Sequence, residues 1–246
     1  MRYLIEFSYD GSNFYGYQKQ PNKRTVQEEI EKVINKITNE NVIINASGRT
    51  DSKVHAKGQC AHFDLNKKID EDKFKHSLNC LLPEDIHIIN LKEVNKEFHA
   101  RYDVKEKIYE YKINIGEYNP MDRNYIYQYN KKLDVEKIKE SIKDFIGRHN
   151  FKSFTTNNPK IKDYEREIYE ATINEKNNII TIEFRGNGFL QYMVRNMVGL
   201  LIEIGSGKKD INSVKEILKK ENRQEAGIMA PGCGLYLKKV FYKDKK

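Results

Sequence analysis

One order of elements is written twice along this chain, and that repeated order limits the fold more than any other feature. Arg2 to Asp10 alternates apolar and polar residues and stops at Asp10-Gly11, a turn signal. Thr25 to Thr38 carries Val26, Ile30, Val33, Ile34 and Ile37 at helical spacing, with Thr25 and Glu28 placed as a capping box. Val42 to Ser47 and Gly58 to Leu65 read as short strands separated by a polar loop, Gly48 to Lys57. Asp70 caps a helix with Phe74, Leu78 and Leu81 inward, and Asp85 to Val94 reads as a strand. Strand, helix, strand, strand, helix, strand is the split βαβ arrangement.

The second half repeats it. Lys107 to Ile115 alternates, and Leu133-Asp134 opens a helix with Val135, Ile138, Ile142 and Phe145 inward. Glu165 to Ile173 and Ile179 to Arg185 form a hairpin across Asn174 to Asn178. Leu190 to Gly205 is a helix with Leu190, Met193, Val194, Met197, Leu201 and Ile204 inward, and Ile211 to Lys220 adds another. Leu235 to Lys243 is the last strand. The spacing predicts an α+β chain with an N-terminal half, residues 1–104, and a C-terminal half, residues 105–246. The halves share order, not sequence. Two such sheets must bury apolar surface together, and a cleft between them is a natural ligand site.

Composition narrows the class. The chain has 246 residues, with 44 Lys and Arg against 36 Asp and Glu, a net charge of +8. This suits a polyanionic partner, and a lysine-rich solvated surface gives the same arithmetic. The apolar fraction is 38% and includes 16 Tyr and 11 Phe, which argues against a disordered chain. No apolar run approaches the roughly 18 residues that span a bilayer, so no membrane association is expected. Met1 to Glu6 reads as a strand and not as a signal peptide. Cys60, Cys80 and Cys233 lie far apart, and no two histidines have zinc-ligand spacing. A cytoplasmic protein without metal is expected.

Nucleotide-binding motifs fail. Gly205-Ser206-Gly207-Lys208 resembles part of a phosphate loop, but Lys209 stands where Ser or Thr is needed. Its position after a helix predicts a C-cap. Gly186-Asn187-Gly188 lacks the third glycine of a dinucleotide loop. The polar, basic loop Gly48 to Gln59 contains Asp51 between Arg49 and Lys53. An aspartate in such a loop is a turn former or a cap. Flanking cations also favour its ionised form, which can act as a nucleophile.

This loop, Gly48-Arg49-Thr50-Asp51-Ser52-Lys53-Val54-His55-Ala56-Lys57-Gly58-Gln59, resembles the signature of the tRNA pseudouridine synthase A family. Tyr15 to Gln20, Asn79 to Ile86, Phe98 to Tyr102 and Lys107 to Tyr111 resemble further segments of that family in the same order. So do Gly186 to Leu190 with Met193 to Asn196, and Ala230-Pro231 with Gly234 to Leu237. The motifs run from residue 15 to residue 237.

The resemblance implies two ferredoxin-like halves joined into one extended, mostly antiparallel sheet flanked by helices, with a basic central cleft. It implies an isomerase that converts uridine to pseudouridine at positions 38, 39 and 40 of the tRNA anticodon arm. It implies a homodimer that needs no cofactor. Asp51 is then the catalytic nucleophile, and whether it attacks the base or drives elimination at the ribose stays open. Tyr109 stacks on the flipped base or helps remove the C5 proton. Arg195 pairs with Asp51, and Leu235 forms an apolar wall. Arg49, Lys53, Lys57, Arg101 and Lys105 are candidate phosphate contacts or, equally, surface charges, with Arg49 the favoured contact. Where the family has glycine two residues after the aspartate, this chain has Lys53, and a requirement for positive φ there would cost on the order of 1 kcal/mol. An idle RNA-binding protein on the same scaffold is the alternative. Retention of Asp51, Tyr109 and Arg195 together argues against it.

Overall fold

A computed structural model describes residues 1–156 and 162–243. The chain forms two compact units, Met1–Lys105 with Tyr236–Lys246, and Glu106–Leu235. Both are α+β.

In the first unit, β1 (Arg2–Tyr9) lies antiparallel to β3 (His55–Asp64) and to β4 (Ile86–Val94). The two-residue strand β2 (Asn45–Ala46) pairs with the far end of β3 at His62 and Ala61. Helix α1 (Val26–Thr38) buries Val26, Ile30, Val33 and Ile34. Helix α2 (Glu71–Leu81) buries Phe74 and Leu78. The Asp70 side chain accepts the Lys73 N–H and starts α2 as expected. Leu81, expected inward, is 44% exposed because it sits at the last turn.

The capping box expected at Thr25 does not form. The Thr25 hydroxyl is buried without a hydrogen-bond partner. The N–H groups of Val26 and Gln27 instead donate to the Gly16 and Tyr17 carbonyls at 3.3 and 3.0 Å. Tertiary contact has taken the place of a local cap, and it docks the start of α1 onto the Tyr15–Gln20 segment.

In the second unit, β5 (Val104–Asn114), which enters it at Glu106, pairs antiparallel with β9 (Ile179–Gly186), β9 with β8 (Glu165–Lys176), and β8 with β7 (Gly147–Asn150). The short β6 (Tyr127–Gln128) runs parallel to the end of β5. Helix α3 (Val135–Ser141) is capped by Asp134 and continues as a 3₁₀ turn over Ile142–Phe145. The β8–β9 hairpin turns on Asn177 and Asn178 alone, both with positive φ, so its strands run longer than the expected five-residue connection allowed. Two consecutive residues with positive φ make a type I′ turn, and asparagine tolerates that region.

Helix α4 (Met193–Gly205) starts three residues later than the apolar spacing predicts, because Tyr192 before it is left-handed. It ends as expected. Gly207 has φ +75°, its N–H donates to Ile204, and the Lys208 N–H reaches back to Glu203. That is a Schellman cap, not a phosphate loop. Helix α5 (Ser213–Lys220) follows.

The final strand, β10 (Leu235–Tyr242), closes the second half in sequence order. Its residues from Tyr236 onward nonetheless belong with the first unit, where Tyr236 and Leu237 pair parallel with His55 and Ala56 of β3. Among the described residues no helix is long and apolar enough to cross a membrane.

Candidate active site

The loop expected over Gly48 to Lys57 ends at residue 54, where β3 takes over, and it is fixed by hydrogen bonds along most of its length. At its stems the fully buried Gln59 accepts from the Ser47 hydroxyl at 2.7 Å and donates to the Gly48 carbonyl at 3.0 Å. The Thr50 hydroxyl shares a 2.7 Å hydrogen bond with the Tyr9 phenol. The Thr50 carbonyl accepts the Tyr17 N–H at 3.1 Å. Phe14 offers its carbonyl to the Ser52 hydroxyl at 3.2 Å and to the Lys53 N–H at 3.4 Å. Beyond the turn, the His55 Nδ1 accepts the Gly11 N–H at 3.0 Å, and its ring stacks on Tyr236 with centroids 4.7 Å apart.

Asp51 opens a turn closed by the Val54 N–H on the Asp51 carbonyl at 3.2 Å. Lys53 is the third residue of that turn and has φ 63°. A turn with positive φ at that position favours glycine. Asp51 itself is half-buried, while Arg49, Lys53 and Lys57 are exposed. Arg49 donates to the Gln18 side chain at 2.8 Å, and Lys57 lies 5.0 Å from the Tyr236 ring centre. Burial pushes the Tyr9 phenol well above its ordinary pKa. Hydrogen bonds with Thr50 and Gln59 pull it back, and the Asp51 charge pushes it up again.

The Tyr15–Gln20 segment is therefore a buttress. Gly16 has φ +97° and lies against the backbone of Thr50 and Asp51. Further support comes from Arg24, which pairs with both Asp85 oxygens at 2.6 and 2.8 Å while its guanidinium lies 4.1 Å from the Phe14 ring centre.

In the second unit, Tyr109 stands on β5 opposite Phe184 of β9. It is buried, and its ring meets Phe189 edge-on at 5.0 Å. Arg195 lies in the first turn of α4 and is half-buried. Its Nε donates to the Ala230 carbonyl at 2.8 Å, and the Ala230 N–H returns to the Arg195 carbonyl at 3.1 Å. The next carbonyl, Pro231, accepts the Tyr111 hydroxyl at 2.7 Å. Burial holds the Tyr111 pKa well above its ordinary value, and the Arg195 charge opposes this. Gly199 lets this segment run against α4, since a Cβ there would collide with the Ile228 carbonyl. Leu235 is buried just beyond it.

A family model described as tRNA pseudouridine synthase matches residues 6–103 and 141–243. The chain belongs to this family. A "tRNA pseudouridine synthase A" of Streptococcus agalactiae is 45% identical over 249 residues, covering 100% of this chain and 96% of that one. A "tRNA pseudouridine synthase A 1" of Bacillus cereus is 48% identical over 239 residues, covering 96% and 97%. One of Streptococcus uberis is 44% identical and covers 99% of each chain. The protein is thus an isomerase that converts uridine in tRNA to pseudouridine.

Of the residues singled out from this synthase's sequence, Asp51 and Arg49 lie in the first unit, and Tyr109, Arg195 and Leu235 in the second. The other candidate phosphate contacts, Lys53, Lys57, Arg101 and Lys105, are all exposed and all in the first unit. Sequence reasoning missed the support around them: Tyr9, Gln59, Phe14 and Arg24 in one unit, and Tyr111 with the Ala230-Pro231 carbonyls in the other. Gln59, Tyr111 and Ala230-Pro231 lie inside the family-like segments, whereas Tyr9, Phe14 and Arg24 carry no such signal.

Proposed function

We propose that this synthase acts on the anticodon arm of tRNA, isomerising uridine at positions 38, 39 and 40, with Asp51 as the nucleophile. It works as a homodimer in the cytoplasm and needs no cofactor. The observation that carries this reading is the turn that begins at Asp51 and closes at Val54. A half-buried carboxylate heads a loop whose backbone is fixed on both sides, next to exposed cations.

Such an arrangement suits the reaction. The bond between uracil N1 and ribose C1′ breaks, the base turns, C5 bonds to C1′ and gives up its proton, and N1 gains one, with no net redox change or hydrolysis. The uridine must leave its stack, at a cost of a few kcal/mol, before its glycosidic bond can be reached. Tyr109 offers an aromatic face, and base–aromatic stacking contributes about 1–3 kcal/mol. Arg195 completes the catalytic set, Leu235 supplies apolar wall, and Arg49 leads the phosphate contacts. An ionised aspartate then needs no reorganisation at the moment of reaction, because its loop is already held.

The test is incubation of the purified chain with unmodified tRNA carrying uridine at 38, 39 and 40, followed by mapping of pseudouridine at single-nucleotide resolution. Pseudouridine confined to those positions is expected. Modification elsewhere in the tRNA, or none, would reject the assignment.

A further inference from the structure

Tyr192 precedes α4 with φ 61° and ψ 0°. Among the described residues it is the one aromatic with positive φ; five of the other seven non-glycine residues there are asparagine. The Met193 N–H donates to the Leu190 carbonyl at 3.1 Å, so Tyr192 is the third residue of a turn. Its angles are those a type II turn needs at that position, where glycine or asparagine is favoured. A bulky residue in this region is an outlier. Helix capping does not account for it, since the Tyr192 side chain makes no capping hydrogen bond. The ring has a different neighbour: the Arg195 guanidinium carbon stands 5.6 Å from its centre.

We propose that Tyr192 is a positioning residue for Arg195, kept in a strained conformation so that its ring supports the guanidinium. A guanidinium is a planar fork whose use depends on orientation. Here the Ala230 carbonyl fixes Nε at 2.8 Å, and the Tyr192 ring lies against the same group, within cation–π range. A strained residue persists only where the surrounding structure holds it, and such residues cluster at functional sites. Glycine would relax the turn and remove the support, so stability and activity part company at this position. This inference rests on the reading that Arg195 belongs to the catalytic set.

The experiment compares Tyr192→Phe, Tyr192→Gly, Arg195→Lys and the double variant Tyr192→Gly/Arg195→Lys in the full chain. Three quantities are read: single-turnover isomerisation at saturating tRNA, tRNA affinity and thermal unfolding. Tyr192→Phe should stay within about twofold of the parent, because the aromatic face remains. Tyr192→Gly should unfold no earlier and bind tRNA equally well, yet react roughly fivefold or more slowly. In the Arg195→Lys background the glycine change should have no further effect on rate, which a merely structural role would not produce. A slow Arg195→Lys with a parent-like Tyr192→Gly overturns this inference alone. So does a Tyr192→Gly that loses rate and stability together while Tyr192→Phe does the same. A parent-like Arg195→Lys overturns the reading of Arg195 and this inference with it.

Discussion

At Gly16 one backbone segment rests on another: a Cβ there would stand 2.9 Å from the Thr50 carbonyl oxygen and 3.3 Å from the Asp51 carbonyl carbon. The residue also has φ +97°. An alanine would meet both the strain of that conformation and a backbone that cannot swing away. Gly16→Ala should therefore cost at least about 2 kcal/mol, measured by urea unfolding. The isomerisation rate should fall as well, because the turn carrying Asp51 must shift. Unchanged stability and rate would show that the buttress is not needed.

Lys53 has φ 63° in the turn that begins at Asp51. Relief of that strain by glycine is worth about 1–2 kcal/mol, offset by about 0.4–1 kcal/mol of added freedom in the unfolded chain. Lys53→Gly should raise stability by roughly 0.5–1 kcal/mol net. It should also weaken tRNA binding and make it less steep in salt, if the exposed ammonium faces phosphate. A destabilised Lys53→Gly would mean that the lysine stem packs usefully against the loop.

His62 is buried, and its Nδ1 accepts the Ala100 N–H at 3.1 Å. Burial, helped by the Arg2 and His99 charges, lowers its pKa from 6.5 to about 4. The unfolded chain therefore binds a proton between these values while the folded chain does not. Stability is complete above about pH 7 and falls as pH drops through 6.5 toward 4, by up to roughly 3 kcal/mol from this group. Urea midpoints across that window check it. His62→Gln should flatten the slope there, and an identical slope in both proteins would assign the effect elsewhere.

Much of the fold can be read from local pattern, and the exceptions have physical causes. Asp70 and Asp134 cap their helices, and Gly207 ends α4, because each signal acts within one turn of chain. Thr25 does not cap α1, because the Gly16 and Tyr17 carbonyls reach the helix N–H groups first. Leu190 is outside α4, because the left-handed Tyr192 is invisible to an apolar count. The strands β6 and β7 are too short for a period to show, and the strand expected over Val42 to Ser47 shrinks to the two residues of β2. At the site, Asp51 is legible from its motif. Its support is not, since Tyr9 reaches Thr50 across 41 residues and Phe14 reaches Ser52 across 38.

The central claim is that Asp51 performs the chemistry and does not merely shape its loop. Asp51→Asn keeps the shape of the side chain and removes the nucleophile. Single-turnover isomerisation of tRNA by Asp51→Asn, measured beside tRNA affinity, is the most direct test. The expected result is no detectable pseudouridine with affinity close to that of the parent. A rate within about tenfold of the parent, roughly 1.4 kcal/mol of barrier, would contradict the assignment.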